Sequence, residues 1–216
     1  MTVERVLSER ELNRAVLARQ CLLERSPATV PRTLERIGAI QAQYAPSMYV
    51  GLWSRMHALG RADVTAALVG RRAVQATLMR VTIHLVARSD FWPYALATRS
   101  ARRALWLRSR RGAVDDAAMQ EAAQLVGDLL RSRDLLHRKE IVALVGKERA
   151  DGVGLWVDLV RAPPSGTWER RRADLLALAG DWVGGVGPGD LTLDLAIGHL
   201  VRRYLAGFGP ASRDDV

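Results

Sequence analysis

The spacing of apolar residues switches from a helical period to an alternation by two, and it does so twice in the same order. Ser8-Glu9-Arg10-Glu11 reads as a capping box, and Leu12, Val16, Cys21 and Leu22 then carry an apolar stripe to about Arg25, where Ser26-Pro27 ends it. A second helix begins near Val30 with Pro31 in its first turn and buries Leu34, Ile37 and Ile40. Ser47 is placed to cap a third, with Met48, Tyr49, Leu52, Trp53 and Met56 on its apolar face, and Asp63 a short fourth through Leu68. The period then changes, with Val74 to Met79 and Thr82 to Ala87 reading as a strand pair.

A long basic helical segment follows from Phe91 to Arg111, closed by Gly112, and the pattern restarts. Asp115-Asp116 lead into a helix ending near Arg131, with further helices over Arg138 to Val145 and Ala150 to Val160. Val160-Arg161-Ala162, the turn Pro163-Pro164-Ser165-Gly166, Thr167-Trp168 and Leu175 to Ala179 read as a second hairpin. This order predicts a mainly α chain with small β-hairpins, built of tandem winged-helix units. The units are expected at 1–112 and 113–186. The glycine-rich run Gly184 to Gly189 reads as a linker, Leu191 to Ala206 as an amphipathic helix with Leu195, Leu200, Tyr204 and Leu205 apolar, and Phe208 to Ser212 as another helix start. Residues 187–216 therefore read as the opening of a third unit that is not completed.

The net charge of +9 favours polyanionic partners, since cationic side chains displace the counterions condensed on nucleic acid. Lys139 and Lys147 are the only lysines among 32 basic residues, so part of this charge reflects an arginine-rich coding bias. No apolar run spans a bilayer and the charged start lacks a leader's apolar core, so a cytoplasmic protein is expected. Cys21 is alone and reads as a small core residue; neither a disulfide nor a zinc site is expected, and His57, His84, His137 and His199 are scattered.

Several stretches resemble the AlkZ-like winged-helix DNA glycosylases: Leu12-Asn13-Arg14, Leu17 to Gln20, Ile40-Gln41-Ala42-Gln43, Leu52-Trp53-Ser54-Arg55 and Leu78 to Val86, then Pro163 to Trp168, Arg202 to Leu205 and Phe208 to Ala211. The resemblance follows the family's order along nearly the whole chain. It implies tandem winged helices around double-stranded DNA. It further implies excision of alkylated purines, including unhooking of interstrand crosslinks, without a cofactor. Gln41-Ala42-Gln43 fits the family's Gln-x-Gln catalytic motif, and the family continues through a third unit that is cut short here.

Two glutamines constrain the chemistry tightly. Residues i and i+2 of a helix point about 200° apart, so Gln41 and Gln43 share a site only if the chain is extended by Ala42. A glutamine amide does not ionise, so it is no general base, but it can hold a water and contact a sugar or base. An N7-alkylated purine is already cationic and leaves as a neutral base, so positioning water and stabilising the sugar cation suffices. The expected substrates are therefore cationic lesions.

Arg55, Arg80, Thr82, His84, Arg102, Arg103, Arg170 and Arg171 are expected at the DNA, the arginines as phosphate contacts. Against this, His84 reads equally as a histidine bonded to backbone, and any one arginine as a solvated charge. Trp53 and Trp156 read as core, and Asp90, Asp115 and Asp116 as helix caps. The expected protein is a nucleoid-associated monomer with no metal, cofactor or membrane. The residues leave two other readings open: a non-catalytic winged-helix regulator and an inactive fragment.

Overall fold

Each early helix stops where one residue forces the backbone to turn. In the computed structural model, which describes residues 6–184 and 190–212, α1 (Glu9–Arg19) starts at a true capping box. The Ser8 hydroxyl accepts the Glu11 amide, and the Glu11 carboxylate accepts the Ser8 N–H at 2.9 Å. It ends well short of Arg25 because Cys21 takes φ 55, in the left-handed region. α2 (Val30–Ile37) stops at Gly38, φ 87, so Ile40 does not extend its stripe but enters a two-residue strand, β1 (Ile40–Gln41).

α3 (Ala45–Trp53) starts at Ala45 rather than at Ser47, whose hydroxyl donates back to the Tyr44 carbonyl at 2.7 Å. In α4 (Arg61–Val69) the Asp63 carboxylate accepts the Gly60 N–H at 2.8 Å. The first hairpin is β2 (Ala73–Leu78) and β3 (Thr82–Ala87), registered from Ala73 opposite Ala87 to Leu78 opposite Thr82. The basic segment is not one helix but two, α5 (Arg88–Ala97) and α6 (Arg99–Ser109). Pro93 removes one donor from α5, and the Thr98 hydroxyl takes the Tyr94 carbonyl at 2.7 Å where the chain breaks.

The second half repeats the helical order. α7 (Asp116–Ser132) is capped by Asp115, which accepts the Ala118 N–H at 2.8 Å. A two-residue strand, β4 (Leu136–His137), leads into α8 (Arg138–Val145). The third helix is shorter than expected: α9 (Lys147–Gly152) passes into a 3-10 turn at Val153–Leu155, and the chain leaves to form β5 (Leu159–Arg161). β6 (Leu175–Leu178), α10 (Ala179–Val183) and α11 (Leu193–Phe208) complete the described elements. The expected linker residues 185–189, and any helix beginning after Ser212, lie outside the described residues.

The two hairpins do not stand apart. β2 pairs with β5, Gln75 opposite Arg161 and Ala76 opposite Val160, so one antiparallel sheet runs β1-β3-β2-β5-β6-β4 through both halves. Strand alternation then sorts the core. Leu85 and Ala73 face α2 to α4 with Leu34, Met48 and Leu52, while Val74, Ala76 and Val86 face α5 with Phe91 and Tyr94. Met119, Val126, Leu136 and Ile141 form a third cluster in the second half. The product is a mainly helical winged-helix architecture with a small antiparallel sheet.

The loop after β5 reaches back into the first half. Gln75, buried on β2, donates its amide to the Gly166 carbonyl at 2.9 Å, and Trp168 meets Tyr49 edge-on at 5.7 Å. Gly166 takes φ +73, and a Cβ there would lie 2.3 Å from the Gln75 side-chain oxygen, so only glycine fits. Thr167-Trp168 is thus a docking turn rather than a returning strand.

Two expectations about side chains are corrected. Trp53 is not core: α3 turns Met48, Tyr49 and Leu52 inward and leaves Trp53 55% exposed, with Arg25 stacked over it at 4.8 Å. Asp90 is not a cap but fully buried, its Oδ1 accepting His199 Nε2 at 2.6 Å and Arg203 Nε at 2.9 Å from α11. Reaching that carboxylate sets the rotation of α11, which buries Ala196 and leaves Leu195 exposed. Trp156 packs on the third cluster, edge-on to Trp106 at 5.6 Å, as its stripe predicts.

Candidate active site

Gln41 closes the two-residue strand β1, and Gln43 stands two residues on, in the bend that leads into α3. Pairing with β3 holds them there: Ile40 stands opposite Leu85 and Gln41 opposite His84, and the Ala42 N–H donates to the Ile83 carbonyl at 2.7 Å. Ala42 is buried in the first core cluster with Leu85, so Gln41 takes the other face of β1, and Gln41 and Gln43 are both exposed. The Ile83 N–H, the next donor along β3, is accepted by the Gln43 side-chain oxygen at 3.1 Å. Because that partner is a donor, the amide's orientation follows, and the two N–H groups of Gln43 point elsewhere. Neither they nor the Gln41 amide has a hydrogen-bond partner among the described residues.

His84 shares this face, directly across from Gln41, with Ala76 on its other side. It is buried, and its Nδ1 lies 2.9 Å from the Thr82 carbonyl. A carbonyl only accepts, so Nδ1 carries the proton and Nε2 of the neutral ring is left as an acceptor. Burial pushes the imidazolium pKa below its ordinary value and the nearby Arg80 charge adds to this, outweighing the Thr82 bond. Arg80 sits exposed at the tip of the β2–β3 turn, and Thr82 opens β3 just past it.

The flank comes from the second half. Arg171 donates to the Tyr44 hydroxyl at 3.1 Å, and Arg170 is held by Asp174 at 3.0 Å. Burial pushes the Asp174 carboxyl up, but the His137 hydrogen bond, the His137 and Arg170 charges and the Ser165 hydroxyl together bring it below the usual carboxylate range. Tyr44, half exposed beside Gln43, was not among the expected residues; an aromatic adjoining a polar pair at the start of a helix is the only sign the sequence offers.

The other arginines do not join this cluster. Arg102 is 3% exposed, donating to the Thr77 carbonyl at 2.6 Å and the Ala95 carbonyl at 2.8 Å, and burial pushes its pKa down to about 10. It ties α6 to β2 and α5. Arg103 donates to the Leu155 and Trp156 carbonyls at 2.9 and 3.3 Å. Arg55 caps the end of α3 through the Gly51 carbonyl at 2.9 Å, and burial lowers its pKa. Among the described residues no group of three or more His, Cys, Asp or Glu is placed to hold a metal ion, and no helix is long and apolar enough to cross a membrane.

The family model described as DNA glycosylase AlkZ-like matches residues 34–216. No curated protein matches the chain. Among solved structures, Streptomyces sahachiroi DNA glycosylase AlkZ aligns with a TM-score of 0.72 and 22% identity, over 96% of this chain and 59% of that one. That likeness establishes a shared fold, and the chain spans about 59% of the relative's length.

Proposed function

The chain belongs to the AlkZ-like DNA glycosylase family, and from that premise we propose that it hydrolyses the N-glycosidic bond of cationic alkylated purines in double-stranded DNA, with Gln41 and Gln43 as the catalytic pair. What supports this reading is the exit from α2 along β3, which leaves Gln41 opposite His84 and Gln43 bonded to the next residue, Ile83, with both glutamines exposed. N7 adducts are the substrate class, and crosslinks through the same atom fall within it.

The division of labour follows from the hydrogen bonds. Gln43, its oxygen tied to Ile83, is a fixed donor that orients a sugar or base oxygen. Gln41, unconstrained, accepts a hydrogen bond from the attacking water on its amide oxygen and so orients it, and His84 Nε2 offers a second acceptor alongside. No carboxylate of this cluster acts as an acid, which fits a leaving group that needs no proton. Water oxygen bonds to C1′ as the C1′–N9 bond breaks; its electron pair goes to the base, neutralising it, and the water's proton passes to solvent through the acceptors. A glycosylase reaches C1′ only after turning the nucleotide out of the stack.

Arg80 and Thr82 at the hairpin tip and Arg170 and Arg171 on the flank are the DNA contacts in this reading, whereas Arg55, Arg102 and Arg103 serve the fold. The protein acts as a cytoplasmic, nucleoid-associated monomer without a cofactor.

The test is incubation with a duplex carrying one N7-methylguanine. Free base and an alkali-labile abasic site are expected, both lost on Gln41→Ala or Gln43→Ala. Tight binding to undamaged duplex with no base released would leave the non-catalytic regulator as the correct reading.

A further inference from the structure

The two lysines of this arginine-rich chain line the same cleft. Lys139, in the first turn of α8, and Lys147, which opens α9, border a hollow of about 520 Å³ with Arg138, Arg172, His137 and Asp174. The acids around it are committed. Asp174 holds His137, Arg170 and Ser165, Asp151 pairs with Arg138, and Glu140 pairs with Arg133 while accepting the His137 N–H. Lys139, Lys147 and Arg172 are exposed and make no ion pair among the described residues. Three cations without an ion-pair partner thus converge on one concave surface, and Glu148, next to Lys147 in the chain and likewise unpaired among the described residues, lines the neighbouring hollow with Asp115 and Arg149 instead.

The cleft adjoins the proposed active site through one loop. Arg172 lines it, and Arg171, its neighbour in the chain, donates to the Tyr44 hydroxyl at 3.1 Å, one residue from Gln43. Ser165 fixes that loop by donating to the Arg172 carbonyl at 2.9 Å and accepting the Asp174 N–H at 2.7 Å. A rigid polyanion lying at Gln43 therefore meets this surface as it continues over the second half. Duplex DNA carries one charge per about 1.7 Å of its axis, so a run of phosphates spans both.

We propose that the cleft between the first turn of α8, Lys147 and the loop at Arg172 seats the phosphate backbone of the duplex beside the lesion, with Lys139, Lys147 and Arg172 as its contacts. The inference rests on the glycosylase reading for the ligand's identity. It adds a second anchoring point, in the half of the molecule that does not carry the glutamines. Phosphate contacts position without reading sequence, so this seat sets the register of the lesion against Gln41 and Gln43.

The rarity of lysine makes the test direct. The whole protein is treated with an amine-acetylating reagent, with and without undamaged duplex, and acetylation at Lys139 and Lys147 is read by mass spectrometry. Inorganic phosphate and a mononucleotide at equal phosphate concentration are further arms. Protection by duplex alone is expected; equal protection by phosphate or mononucleotide would show a small-anion site and overturn the proposal. In parallel, duplex affinity is measured across a salt series for wild type, Lys139→Gln/Lys147→Gln, and a charge-matched control, Arg10→Gln/Arg14→Gln, on exposed positions of α1.

The lysine pair should lower affinity on the order of 10- to 100-fold at about 0.1 M salt and reduce the log–log salt slope by about 2, with the control near wild type. Equal losses in both variants, or unprotected lysines under saturating duplex, overturn the proposal. A wild type that binds no duplex overturns it together with the glycosylase reading. Base release without lysine protection overturns the seat alone, and lysine protection without base release the chemistry alone.

Discussion

The Gln43 side chain accepts the Ile83 N–H at 3.1 Å, where a third residue of β1 would otherwise supply a backbone carbonyl. A side chain completes the ladder, so the catalytic candidate is also the last rung of its own strand. Gln43→Ala should lower base release on the order of 100-fold or more, as loss of one oriented donor does, while costing about 0.5–1.5 kcal/mol of stability. Gln41→Ala should match the activity loss with no change in melting temperature. Single-turnover release from N7-methylguanine duplex and thermal melts check both.

His84 gives the reaction an acid limit. Its imidazolium pKa lies below 6.5, so the ring is neutral at and above that pH and Nε2 accepts a hydrogen bond. As pH falls through that lowered value, Nε2 gains a proton, and a second cation then faces the cationic lesion. Single-turnover rates of wild type should fall on the acid side with a midpoint below 6.5, and the fall should vanish in His84→Gln. A wild-type profile that coincides with that of His84→Gln throughout the acid range would remove His84 from the site.

Gly166 and Gln75 should be strongly coupled. Gly166→Ala sets a methyl 2.3 Å from the Gln75 oxygen at φ +73, for a cost of about 2–4 kcal/mol. In a Gln75→Ala background the clash with the Gln75 oxygen disappears, leaving the backbone strain and the 3.2 Å approach to the Ala173 Cβ. A double-mutant cycle by denaturant unfolding should therefore show a positive coupling of at least about 1 kcal/mol.

Asp174 contributes stability with a definite sign. Its folded pKa is lowered, so its contribution is complete above the ordinary carboxylate value of about 3.8 and is lost as pH falls through the lowered one. Asp174→Asn should lower the melting temperature at pH 7, and the gap from wild type should narrow as pH falls below 3.8. Melts across that range decide it.

Arg102 and Arg80 should separate fold from binding. Arg102→Ala leaves the Thr77 and Ala95 carbonyls without their donors and opens a void, so the melting temperature falls while affinity per folded molecule holds. Arg80→Gln, at the exposed hairpin tip, should weaken duplex binding and flatten the salt slope by about 1 with no change in the melt.

What the sequence made legible was local. The Ser8 and Asp115 caps, the alternation along β3 and the change of period at Val74 each depend on residues within a turn or two. The helix does give way to an extended strand at Ile40–Gln41, but β1, two residues long, left no periodic trace, and the chain already bends at Gln43. Asp90 looked like a cap because its partners His199 and Arg203 lie more than 100 residues on, and nothing near Asp90 announces them. Arg102 and Trp53 exchanged places for a related reason. The break at Thr98 resets helix phase between α5 and α6, and α3 ends at Trp53, before the Met56 that its apolar stripe was read to reach.

The pairing of Gln75 with Arg161 and Ala76 with Val160 welds the two hairpins at the middle of β2. Relative rotation of the halves would have to tear main-chain bonds at the centre of the molecule, so the floor joining them has no hinge. Whatever lies across both halves meets a curvature settled beforehand, and any bending needed for a close fit must come from the guest.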